Sequence, residues 1–196
     1  MIETIAEAIL SSKTKFKDDL GCPDKPGLYA FVLREKGDLG EYGKPGQVIY
    51  VGSAPDSLAK GNWNADLKEG KTGASVLRRS LGAILKEQLK ATAFSRNGTV
   101  ANTALDHFKF DSKSEKALTL WMKENLEFGW WKYDEAEAAG NNLADLEKAL
   151  NIHFKPTLDL NERTRQRNPL TPKINALWQE CKDEAKMNCI TELAYF

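Results

Sequence analysis

Apolar positions along this chain recur at two spacings, one near helical and one near two, and the changes between them lay out the elements. Ile2, Ile5, Ala6 and Ile9 recur at helical spacing and predict a short amphipathic helix over 2–11, followed by a turn through polar residues to Asp19. Pro23 and Pro26 interrupt the chain. From Gly27 to Leu33, Leu28, Ala30 and Val32 alternate with Tyr29, Phe31 and Leu33, and Gln47 to Val51 is a second β-rich run. These predict two hairpin strands joined by a glycine-rich surface loop over 36–46. Residues 53–73 are polar and broken by Pro55, Gly61, Gly70 and Gly73, so an irregular excursion is expected.

Leu77, Leu81, Ile84, Leu85 and Leu89 form the apolar stripe of a helix whose opposite side carries Lys86 and Lys90. A loop follows over 95–104. Ser112 with Glu115 reads as a capping box opening a helix that ends near Asn125. Phe128 to Tyr133 is a short aromatic run that predicts a third strand, and Asn142 is placed to cap a helix to about Phe154, stopped by Pro156. A last helix is expected over 172–187. Helices and strands in this order predict an α+β fold with a small three-stranded mixed or antiparallel sheet flanked by helices.

The length of 196 residues suits one domain, or one with a terminal extension, and 41% hydrophobic with 29% charged residues excludes disordered and collagen-like classes. Lys and Arg balance Asp and Glu at 28 each, so there is no global attraction to nucleic acid and any such site is a local patch. Two local patches stand out. Lys71, Arg79, Lys86, Lys90 and Arg96 form one, and Arg163, Arg165, Arg167 and Lys173 the other. Cys22, Cys181 and Cys189 fit neither a redox pair nor a zinc knuckle, so they read as reduced thiols and a cytoplasmic location is expected. Glu3 and Glu7 interrupt the first apolar stretch, which therefore does not read as a secretory signal, and no apolar run reaches membrane-spanning length.

Two charged residues sit against apolar stripes. With Leu77 at zero and about 100° per residue, Leu81, Leu85 and Leu89 fall at roughly 40°, 80° and 120°, Arg78 at about 100° and Arg79 at about 200°. Arg78 therefore borders the buried stripe, where a guanidinium needs a phosphate or a carboxylate, with Gly82 leaving room one turn on. Arg79 is expected on a solvated cationic face beside Lys86 and Lys90. Counting from Leu143, Glu147 falls near 40°, inside the stripe of its helix that Leu150 and Phe154 continue. Such a carboxylate requires a partner, either an internal ion pair with Arg78 or a metal ion. His107 and His153 are too far apart in sequence to read as a metal pair.

Gly27-Leu28-Tyr29 heads the first strand and Tyr50-Val51-Gly52 ends the second. With the helix bearing Arg78 and Arg79, and Leu146-Glu147-Lys148-Ala149-Leu150 leading to Pro156 and Leu160-Asn161, the order resembles the GIY-YIG nuclease superfamily over about 26–162. The resemblance leaves 1–25 and 163–196 as helical extensions. It implies a metal-dependent endonuclease that hydrolyses DNA to 5′-phosphate and 3′-hydroxyl ends, with RNA left open as substrate. In that reading Tyr29 assists the attacking water, Tyr50 orients water and phosphate, Arg78 stabilises charge, and Asn161 positions the site. Glu147 would be the sole protein ligand of Mg2+ or Mn2+, while Arg79, Lys86, Lys90, Arg163 and Arg165 would contact the nucleic acid. Both loops around the second tripeptide are longer than the family's usual ones, and Gly82 and Ala83 stand where many members carry a histidine or tyrosine. The alternative is a binding module that keeps the framework without turnover.

Overall fold

The computed structural model of this chain describes residues 1–15, 20–61, 66, 68–158, 160 and 164–194, with side chains through 191. Its contacts divide into two compact units, Met1–Asn64 with Met122–Pro169, and Ala65–Trp121 with Leu170–Phe196.

In the first unit, helix α1 (Ile2–Ser11) is followed by strands β1 (Thr14–Lys15), β2 (Gly27–Leu33) and β3 (Val48–Ala54). The remaining described strand of this sheet, β6 (Leu126–Lys132), completes an antiparallel order β1-β6-β2-β3. The three expected strands thus form the body of the sheet. The fourth, β1, lies in what the polarity of residues 11–19 suggested was a turn, because two residues are too few for alternation to register. Strand β6 begins at Leu126, directly after the preceding helix, rather than at Phe128.

Period-two alternation sorts β2 onto two faces. Leu28, Ala30 and Val32 share a core with Ile5 and Ile9 of α1, Val51 of β3, Trp131 of β6, and Leu146 and Leu150 of the helix Leu143–Phe154. The opposite face carries Tyr29, Phe31, Tyr50 and Phe128 in mutual ring contact. Asn142 caps the helix Leu143–Phe154 by accepting from the Asp145 N–H, and Lys155 ends it in a left-handed conformation at φ 50°.

The second unit holds α2 (Val76–Ile84) and α3 (Lys86–Leu89), so the single expected helix is broken at Leu85. The expected loop over 95–104 holds as far as residue 101 and then enters α4 (Asn102–Asp106); it is flanked by β4 (Ala93–Phe94) and β5 (Lys109–Phe110), which pair antiparallel. These segments are too short to show a period. Helix α5 (Ser112–Asn125) is capped by Asp111, which accepts from the Ser114 N–H, in place of the expected Ser112–Glu115 box. A short α6 (Glu135–Ala138), capped by Asp134, precedes the helix Leu143–Phe154, which is α7. Helix α8 (Thr171–Ala194) closes the chain and packs in the second unit, where Cys181 and Ala185 join Ala83, Ala93, Phe108 and Phe110 in a core.

Candidate active site

Strand pairing sets Tyr29 directly opposite Gly52 and Phe31 opposite Tyr50. The Tyr29 ring lies across the glycine, so that a Cβ at position 52 would stand 2.5 Å from Tyr29 Cζ and 2.6 Å from its oxygen. Only hydrogen fits there. Tyr29 is then stacked on Phe128 at 5.5 Å between centroids and meets the Tyr50 ring at 6.4 Å. Tyr29 is buried and Tyr50 half-buried.

Glu147 is half-buried on α7, and its Oε2 accepts a short 2.5 Å hydrogen bond from Ser53 Oγ. Ser53 pairs with Leu28, so it lies on the helix-covered face, one residue beyond Gly52 and opposite in direction to Tyr29. The tyrosine pair and the carboxylate therefore reach β3 from its two faces, three residues apart, and β3 is an edge strand of the sheet. The segment after α7 follows the same edge: Leu158 N–H donates to Ile49 O at 2.9 Å, Thr157 Oγ1 to Tyr42 O at 2.6 Å, and Asn168 Nδ2 to Thr157 O at 2.6 Å. Exposed Arg165 and Arg167 are carried on this segment. Asn161 and Arg163 lie outside the described residues.

One further side chain on α7 belongs to the description. Asn151, one turn after Glu147, is 4% exposed, and neither its Oδ1 nor its Nδ2 has a hydrogen-bond partner. A buried polar group left unsatisfied costs about 1–3 kcal/mol. Sequence reasoning passed over Asn151, although it falls only about 40° beyond Glu147 around the helix and shows the same polar intrusion at the stripe. Ser53 had no such signal, because its partner is distant in the chain.

Arg78, expected at a phosphate, has its anion within the second unit. The guanidinium is 0% exposed; Nη2 forms a 2.8 Å ion pair with Glu115 Oε2 and donates to Thr119 Oγ1, while Nε donates to Thr72 Oγ1 and Nη1 to Asp66 O. Glu115 also accepts from Gly70 N, Thr72 Oγ1 and Phe110 N, so the pair is enclosed by hydrogen bonds. The room expected beside Gly82 is taken by the Phe110 ring. Asp66, beside this pair and bonded to Ser75, has its carboxyl pushed up to about 7 by burial, against the lowering effects of Ser75 and Arg78.

Arg79 corrects the solvated-face expectation: it is 6% exposed, donates from Nη1 to Gly73 O at 2.9 Å, and lies 5.1 Å from the centroid of the Trp178 ring. The helical wheel failed because α8 covers the side of α2 that its own stripe leaves polar. Lys86 is likewise engaged, with Glu184 at 3.2 Å, whereas Lys71, Lys90, Arg96 and Lys173 are exposed.

Among the described residues no cluster of three or more His, Cys, Asp or Glu is arranged for a metal ion. A protein-rich cage is therefore not what these side chains offer. One hard carboxylate oxygen fits Mg2+ or Mn2+ in the manner of a site that keeps most of its waters, and the two orphan polar atoms of Asn151 one turn away fit the same water-rich shell.

An antiparallel sheet with its two glycine–tyrosine tripeptides paired across β2 and β3 defines the framework of a nuclease-type catalytic domain. The sequence matches the GIY-YIG catalytic domain over residues 35–184, most of its length, and the chain belongs to that family, whose domain is that of nucleases acting on nucleic acid. The match begins after Tyr29 and continues into α8. No curated protein and no solved structure matches the chain. Among the described residues no helix is long and apolar enough to cross a membrane.

Proposed function

We propose that this chain is a divalent-metal-dependent endonuclease hydrolysing DNA phosphodiester bonds at the β3 edge of its first unit. The observation that carries the reading is the tyrosine pair held across Gly52, with the Ser53-held carboxylate of Glu147 three residues further along the same strand. In this reading Tyr29 and Tyr50 orient the attacking water and the phosphate. Water oxygen bonds to phosphorus as the 3′ oxygen departs with a proton, leaving a 5′-phosphate and a 3′-hydroxyl. Glu147 holds Mg2+ or Mn2+, which when bound polarises a phosphate oxygen. Arg165, exposed on the segment that runs along the β3 edge, contacts the nucleic-acid backbone in this reading, so binding weakens with salt. Arg78 is given to the fold, and three cysteines held in no disulfide suit a reducing cytoplasm.

Glu147→Gln tests the reading, because the amide keeps an acceptor for Ser53 and loses the charge that holds the ion. Plasmid nicking in Mg2+ is expected to vanish while melting temperature and DNA affinity persist; undiminished nicking overturns the mechanism. Enclosure of Arg78 favours a second reading, a nucleic-acid binding module without turnover. A wild type that binds DNA or RNA in a salt-dependent manner yet cleaves neither selects it.

A further inference from the structure

Asn151 is buried in the first unit with both side-chain polar atoms unpartnered, which is rare for an amide that could form several hydrogen bonds. Nothing in its packing explains the choice of residue, since an apolar side chain of like volume would fill the position without an orphan donor or acceptor. Its location narrows the explanation. Residues four apart on a helix stand on one face with Cβ atoms about 5–6 Å apart. Helical side chains as a rule lean toward the N-terminus, and the turn on that side of Asn151 is the one that carries Glu147. The carboxylate itself is fixed from the strand side by Ser53.

We propose that Asn151 is a positioning residue of the Glu147 site, its amide holding a water coordinated to the divalent ion. Oδ1 accepts from that water, and Nδ2 is left to donate to the carboxylate or to a second water. This inference rests on reading Glu147 as the metal ligand. The arrangement keeps the ion's waters ordered where a single protein ligand would leave them free to rotate, and outer-shell partners of this kind change metal affinity by about 10- to 100-fold.

The test uses the full chain with Asn151→Leu and Asn151→Ala, the second guarding against overpacking by the first. Mn2+ binding is followed by loss of the free-ion paramagnetic resonance signal, alongside thermal melting and plasmid nicking at varied Mn2+. Both variants are expected to bind Mn2+ about tenfold or more weakly. The Leu variant is expected to melt no lower than wild type, and DNA affinity without the ion should be unchanged. Mn2+ affinity equal to wild type in both variants overturns the role of Asn151, whether or not melting shifts, and leaves the Glu147 reading standing. A wild type that binds no Mn2+, or a Glu147→Gln variant that binds it undiminished, overturns both.

Discussion

At the scale of single residues, Gly52 shows why a motif glycine matters in a strand where glycine otherwise weakens pairing. The Tyr29 ring occupies the space a side chain would take, and Phe128 stacked behind it blocks retreat. Gly52→Ala should therefore displace the ring, lowering stability by about 1–3 kcal/mol and nicking by at least tenfold on the order of one lost transition-state contact. Tyr29→Phe keeps the ring and removes only the hydroxyl. Nicking is expected to fall at least tenfold, on the order of one lost transition-state contact, and a normal nicking rate in Tyr29→Phe would assign the tyrosine to packing alone.

Among elements, α2 and α5 carry the strongest internal commitment. Arg78 and Glu115 each occupy a position where a charge faces the interior, and they neutralise one another within a ring of Thr72, Thr119 and backbone groups. Removing one partner of a buried pair leaves an uncompensated charge and costs about 3–5 kcal/mol, whereas replacing both by apolar residues is often neutral. Arg78→Met alone should lower the denaturation midpoint sharply, and Arg78→Met with Glu115→Leu should recover most of it. A catalytic arginine without this structural duty would give the reverse result for the single change, full stability with lost activity. The periodicity that singled out Arg78 was physically sound, since it demanded an anion. Whether that anion was phosphate, Glu147 or Glu115 depended on a contact between α2 and α5 that no local spacing encodes.

At the scale of the whole molecule, one pH response comes from Asp66, in the second unit. Its folded-state pKa, near 7, stands above the ordinary carboxyl value of 3.8, so the fold binds the proton more tightly than the unfolded chain does. The resulting stabilisation is complete below about pH 4 and lost as pH rises through 7, on the order of a few kcal/mol. Calorimetry should show the melting temperature of wild type falling over that window beyond the trend of Asp66→Asn; parallel curves would refute it. The sequence by itself determined the α+β class, the strands β2, β3 and β6 and the long helices, because a period of 2 or 3.6 or a β-rich run extends over enough residues in each to be seen. It also marked Arg78 and Glu147 as charges needing partners. Only the tertiary structure decided that Arg78 pairs with Glu115, that Arg79 is covered by Trp178, that Ser53 holds Glu147 and that Asn151 is left without a partner. Periodicity reports which side of an element faces inward, whereas the identity of the group met there is fixed by chain segments far apart in sequence.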